Sequence, residues 1–181
     1  MQPRISFRPL RESDFNLMHR WLNMPHVIEW WDKTGASFNE IRSKYLPRIS
    51  GDSPVSCFVI EMDNRDIGYI QTYWVSDFIK EIAQLCPQMV EQAASLVASL
   101  DVFIGEPDLL NSGLGTRAVR QFLNQVVFGK MKANSCIVTP DSSNSAAIRV
   151  YKKAGFSLEA CAGPSGAFRH HYLMSCLNPA S

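Results

Sequence analysis

The stretch Asp101-Val-Phe-Ile-Gly-Glu-Pro-Asp-Leu-Leu-Asn-Ser-Gly-Leu-Gly-Thr116 constrains this chain more than any other. A short apolar strand runs into a loop. Gly113-x-Gly115 then opens an amphipathic helix, with Val119, Phe122, Leu123, Val126 and Val127 at i, i+3, i+4, i+7 and i+8. The first turn of a helix leaves backbone N–H groups without partners, so this order presents donors beyond the strand. Such a site binds anions, phosphates above all. Asp101 stands at the start of the same strand. A phosphate cradle beside a carboxylate points to a phosphate-bearing cofactor and a basic second substrate.

The rest of the chain sets the bounds. Its 181 residues suit one domain with a real core. Hydrophobic residues make up 46% and charged residues 19%, which argues against disorder. A net charge of +1 gives no basic surface for nucleic acid. Cys57, Cys86, Cys136, Cys161 and Cys176 are odd in number and scattered, without a C-x-x-C pair. That pattern fits neither a disulfide framework nor a zinc site, and no metal is expected. A reducing compartment follows. The first residues lack the apolar run of a signal peptide and no later segment is long enough to span a bilayer, so a cytoplasmic location is expected.

Alternation over Arg4–Pro9 predicts a strand. Ser13 can cap a helix to about Asn23, and an aromatic-rich segment follows from Met24 to Asp32. Ser37-Phe-Asn-Glu40 is a capping box opening a second helix. Val55–Met62 and Ile67–Val75 read as a hairpin around Asp63–Asp66. Asp77–Ser99 suits helix, broken at Pro87, and Leu100–Ile104 is the strand of the opening stretch. Ser135–Thr139 is a further strand. Asn144 can cap a helix through Tyr151 that ends at Gly155, and Phe156–Ala162 and His170–Leu177 are the last strands.

These motifs resemble the GCN5-related N-acetyltransferases (GNAT) from end to end. Gly113-x-Gly115 after a strand and Asn144-x-x-Ala147-x-x-x-Tyr151-x-x-x-Gly155-Phe156 anchor the resemblance. Within that superfamily the chain looks like the aminoglycoside 6'-N-acetyltransferases. The matching segments are His26-Val-Ile-Glu-Trp-Trp31, Ile67-Gly-Tyr-Ile-Gln-Thr-Tyr73, Asp101-x-Phe-Ile-Gly-Glu-Pro107 and Ala147-Ile-Arg-x-Tyr-x-Lys-Ala-Gly-Phe156. The resemblance implies an α/β (α+β) fold over residues 1–181. A mixed central sheet flanked by helices would hold two splayed parallel strands, Leu100–Ile104 and Ser135–Thr139. The helical insert would lie around 77–99. Acetyl-CoA would be the cosubstrate, lying between the splayed strands.

Amide formation needs an uncharged amine, a held carbonyl and a proton for the departing thiolate. Asp101 could take the proton of the incoming ammonium and hold its charge, although a strand-end aspartate can also simply satisfy local N–H groups. Tyr151 could protonate the thiolate, or pack its helix. A backbone N–H on the strand, at Val102 or Phe103, would face the acetyl oxygen, with Ile104 continuing the cofactor-binding edge. Gly113, Leu114, Gly115 and Thr116 would hold the pyrophosphate, and Asn144 the pantetheine arm. Arg117 could add charge there or lie exposed. His26, Glu29, Trp30 and Trp31 would form an acceptor wall, with one of the two tryptophans in the core. Gln71 and Tyr73, two apart on a strand, would line the acceptor pocket, and Asp141 is a turn residue or an acceptor ligand.

The resemblance thus implies acetyl transfer to the 6'-amine of an aminoglycoside. Other small amines or hydroxylamines (a polyamine, a siderophore precursor) or a protein N-terminus are the alternative acceptors, and a non-catalytic acyl-CoA-binding module is a second alternative. The chain departs from the family pattern at the cofactor cradle, which works mainly through backbone N–H groups and is expected still to bind acetyl-CoA, and at two places that weaken the case for a polycationic acceptor. Leu110 replaces the Gln or Arg that many members carry three residues before the first cradle glycine. Thr139 stands where some antibiotic-modifying members carry an aspartate. The acids of the Asp77–Ser99 insert are Asp77, Glu81 and Glu91 alone. The expected partner is a small-molecule amine, with neither nucleic acid nor membrane, and the chain would be a monomer or homodimer.

Overall fold

The computed structural model describes residues 3–80, 96–162 and 170–180, the side chains of 160–162 excepted. The strands are β1 (Ile5–Pro9), β2 (Ser56–Met62), β3 (Arg65–Trp74), β4 (Val97–Ile104), β5 (Ser135–Val138), β6 (Ser157–Ala162) and β7 (His171–Leu177). They form a mixed seven-stranded sheet in the order β1-β2-β3-β4-β5-β7-β6. The helices are α1 (Phe15–Leu22), α2 (Pro25–Ile28), α3 (Phe38–Ser50), α4 (Leu114–Phe122), which continues as a π-helix over Leu123–Lys130, and α5 (Ser145–Ala154). The chain divides into two compact units, Met1–Gln71 with Val102–Ala118, and Thr72–Asp101 with Val119–Ser181. Among the described residues no helix is long and apolar enough to cross a membrane.

In the first unit β1 pairs antiparallel with β2, from Ile5↔Met62 to Pro9↔Phe58. Asp63 and Asn64 both take positive φ, 48° and 67°, and make the tight turn from β2 into β3. That turn is shorter than the four residues expected, because two left-handed residues suffice to reverse the chain. Phe15, Met18, Trp21, Tyr45, Ile60 and Tyr69 form the buried interior. The α3 capping box forms as predicted: Glu40 N–H donates to Ser37 Oγ at 3.3 Å and Ser37 N–H to Glu40 Oε2 at 2.7 Å. Ser13 does not cap α1. A 3₁₀ turn, Glu12–Asp14, precedes that helix, and Asp14 takes the Arg11 N–H at 2.8 Å and Arg8 Nη1 at 2.7 Å. The Asp14 carboxylate thus fixes the turn before the helix, and α1 itself starts without a side-chain cap.

In the second unit β4 and β5 run parallel, β5 and β7 antiparallel, and β6 pairs with β7. Val75, Val97, Ile137 and Leu173 pack together with Phe78 against them. β4 starts at Val97 and not at Leu100. Val97, Ala98 and Ser99 pair with Ser135, Cys136 and Ile137, and this ladder claims residues whose apolar spacing suits helix. The end of the expected insert is therefore strand. Residues 81–95, with the Pro87 break, lie outside the described residues.

Candidate active site

The parallel ladder between β4 and β5 ends at Ser99↔Ile137, whereas β4 continues to Ile104. At the last rung Ser99 Oγ donates to the Ile137 carbonyl at 3.1 Å. Asp101 follows, half-buried, in the middle of β4 and not at its start. The cause is the same register that draws Val97–Ser99 into the sheet.

Tyr151 belongs to the same unit as Asp101. Its helix begins where Asn144 Oδ1 accepts the Ala147 N–H at 3.0 Å and ends at Gly155, φ 112°. Asn144 is thus the cap, and the left-handed exit falls at the glycine. The phenol is buried and its ring meets Phe156 edge-on at 5.4 Å. Burial pushes the Tyr151 pKa above the tyrosine range, and the charges of Asp101, Cys136 and Tyr73 add to the shift. The structure therefore brings Asp101, Tyr73 and Tyr151 into one electrostatic group. Tyr73 also packs edge-on against Phe78 at 4.9 Å. Asp141 Oδ1 accepts the Ser143 N–H at 2.8 Å and the Ser143 hydroxyl at 2.5 Å, so this oxygen holds the turn before α5.

In the first unit the loop after β4 turns through two left-handed residues, Asn111 at φ 58° and Gly113 at φ 81°. The first helical bond is Arg117 N–H to Gly113 O at 3.2 Å. The amides of Leu114, Gly115 and Thr116 precede it and have no carbonyl within the helix. A Cβ on Gly113 would meet nothing within 4 Å, so glycine serves here for its φ and the space before the helix is open. Those free amides and that open space fit a phosphate group. Arg117 turns elsewhere, its Nη2 donating to the Pro3 carbonyl.

Of the aromatic segment, two side chains reach β4 and two do not. His26 Nε2 lies 3.0 Å from the Ile104 carbonyl, and the Trp31 ring meets Phe103 edge-on at 4.8 Å and Tyr69 at 5.8 Å. Trp30 is 42% exposed, and Glu29 is exposed at the end of α2. Trp31 is the packed member of the pair. It also lines a cavity of about 420 Å³ with Asp32, Glu40, Ile41, Lys44 and Tyr45. Gln71 is buried, and its Oε1 accepts from the Tyr69 hydroxyl at 2.8 Å and from Arg48 Nη1 at 2.6 Å. Arg48 also stacks over Tyr45, 5.3 Å from the ring centroid. The sequence reading missed Asp32, Lys44 and Arg48. Lys44 and Arg48 stand at i and i+4 on α3, flanking Tyr45, and that spacing was the available signal. Among the described residues no group of His, Cys, Asp or Glu is disposed to hold a metal.

Residues 11–161 match the family described as the acetyltransferase (GNAT) domain. An aminoglycoside N(6')-acetyltransferase type 1 of Klebsiella pneumoniae is 27% identical over 154 residues, covering 84% of this chain and 73% of that protein. The spermidine N(1)-acetyltransferase of Escherichia coli K12 is 24% identical over 156 residues, covering 86% and 74%. The solved structure of AAC(6')-Ib with ribostamycin and coenzyme A superposes with a TM-score of 0.79 at 25% identity, over 97% of this chain and 94% of that one.

Proposed function

Because this chain belongs to the acetyltransferase (GNAT) domain family, we propose that it uses acetyl-CoA to acetylate the 6'-amine of an aminoglycoside by direct attack of the amine on the thioester. Acetyl-CoA supplies an activated acetyl group and a thiolate that can leave. The chain's own residues supply the proton handling. Asp101 accepts a proton from the incoming ammonium, directly or through water, leaving the nitrogen lone pair free to attack. The new C–N bond forms and the C–S bond breaks. Tyr151, protonated at rest because burial disfavours the tyrosinate, gives its proton to the departing sulfur. The nitrogen sheds a second proton as the adduct collapses; the proton held by Asp101 restores the phenol and the second passes to solvent, so ammonium and thioester give one amide, one thiol and one released proton. The amides of Leu114, Gly115 and Thr116 hold the pyrophosphate, with Gly113 setting their direction, and a β4 amide at Val102 or Phe103 takes the carbonyl oxygen as it gains charge.

The observation that supports the proton roles is placement: Asp101 follows the last β4–β5 rung, and the buried Tyr151 stands in the same unit on the helix that Asn144 caps. The cavity supports the acceptor class. Trp31 offers an aromatic surface to a sugar or a cation, and Asp32 and Glu40 offer carboxylates to amines. Lys44 on the same wall opposes a polycation. Together with Thr139, it supports the second reading, a smaller amine such as a polyamine or a hydroxylamine. Thiol release measured across a panel of kanamycin, tobramycin, spermidine and an N-hydroxylated diamine decides between them. Turnover confined to 6'-amino aminoglycosides supports the first reading. Turnover of the smaller amines alone overturns it.

A further inference from the structure

Glu106 stands where β4 gives way to the loop that leads to Gly113, and no step above uses it. Its side chain is buried, yet it carries a carboxylate. It accepts from Arg20 Nη2 at 2.5 Å, Trp21 Nε1 at 2.9 Å and Arg65 Nη2 at 3.2 Å. Asp108, two residues on, takes the Arg65 fork at 3.0 and 3.1 Å. Gly105 N–H donates to the Ile67 carbonyl at 2.9 Å. A Cβ on Gly105 would fall 2.3 Å from the Trp21 ring, so the indole presses directly on the backbone there. Residues 105–108 are thereby fastened to α1 through Arg20 and Trp21, and to β3 through Arg65 and Ile67.

A buried charge is costly unless it is paired and hydrogen-bonded. Burial pushes the Glu106 carboxyl up, but its bonds to Arg20, Trp21 and Arg65 outweigh this and hold it below the usual range. The anion is therefore the resident form. Charge-assisted bonds from three directions fix where the chain leaves β4, which a single backbone bond would not. The next fixed points along the chain are the left-handed Asn111 and Gly113 and the free amides of α4.

We infer that Glu106 is a positioning residue for the cofactor cradle: its clamp sets the path from β4 to the amides of Leu114, Gly115 and Thr116. The inference rests on the reading of those amides as the pyrophosphate site. It concerns binding of the phosphates and not the chemistry at the thioester.

The test compares the affinities of coenzyme A and of pantetheine, which lacks the pyrophosphate, by calorimetry on the full chain. Wild type discriminates in favour of coenzyme A if the cradle reading holds, and the absence of discrimination refutes that reading on its own. Glu106→Gln keeps the shape and removes the charge. It is expected to shrink the coenzyme A to pantetheine affinity ratio about tenfold, within the range typical of energetic coupling to a binding site, with pantetheine affinity unchanged. Arg65→Ala removes a half-exposed donor without burying an unpaired charge, and is expected to act in the same direction, more weakly. A ratio unchanged in both variants, or an equal loss of both ligands in both variants, overturns the inference.

Discussion

Asp101 and Tyr151 form an electrostatic pair within one unit: the buried phenol carries a pKa raised by its burial and raised further by the aspartate charge. A phenol so placed stays protonated through the range in which an ordinary tyrosine ionises. Tyr151→Phe is expected to lower turnover roughly a hundredfold, within the range for loss of a general acid, with coenzyme A affinity kept. Steady-state kinetics on the best acceptor and a binding titration check both parts. The alkaline absorbance difference between wild type and this variant should also lack a tyrosinate step near the ordinary value.

Asp101 itself is expected to matter to rate and not to cofactor affinity. Asp101→Ala removes the proton acceptor, and turnover should fall by roughly two to four orders of magnitude. Asp101→Asn keeps the shape and removes the charge, so the Tyr151 pKa should move down while burial still holds it above the ordinary range. Unchanged turnover in either variant would remove Asp101 from the mechanism.

What the sequence could reveal follows the range of each interaction. The Ser37–Glu40 box, the Asn144 cap and the Gly155 exit depend on residues a few positions apart, and each forms as its spacing predicts. The start of β4 was not legible. Val97, Ala98 and Ser99 continue an apolar spacing that suits helix, and only pairing with Ser135–Ile137 makes them strand. The role of Trp31 as against Trp30 needed burial, since adjacent residues of one type look alike. The Glu106 clamp was hidden for a plainer reason: Trp21 lies 85 positions away and Arg65 lies 41.

Asn144 holds the start of the helix that presents Tyr151, by one side-chain bond to Ala147 N–H. Asn144→Ala should cost about 1 kcal/mol, which for a chain of this size lowers the melting temperature by about 2–4 °C. Asn144→Ser, which keeps a capping oxygen, should recover most of the loss in the same melting experiment. If Asn144 also meets the pantetheine arm, pantetheine affinity falls in the alanine variant beyond what the serine variant restores.

Gly113 is at φ 81° with open space where a Cβ would stand. Gly113→Ala therefore meets strain and no clash, about 1–2 kcal/mol for an L-residue held left-handed. The loop can relieve that strain by swinging the first helical amides. Coenzyme A affinity should then fall while pantetheine affinity holds, and equal losses of the two would sink the role assigned to this glycine.

The Glu106 clamp also predicts how stability depends on pH. The folded-state pKa of Glu106 is depressed by its donors, against the upward push of burial. A depressed carboxyl contributes stability above its unfolded pKa, and that contribution is lost as pH falls through the folded value. Wild type should therefore exceed Glu106→Gln in melting temperature at neutral pH. The gap should narrow once pH drops below the ordinary carboxylate range, because the folded wild type then binds the proton it had excluded. Asp108, whose pKa is lowered by its bonds to Arg65, is exposed and bears on the same acid limb, so the comparison is made between single variants in which Asp108 is retained. Melting curves from pH 7 downward check it, and a gap that stays constant with pH would show that Glu106 acts through shape and not through its charge.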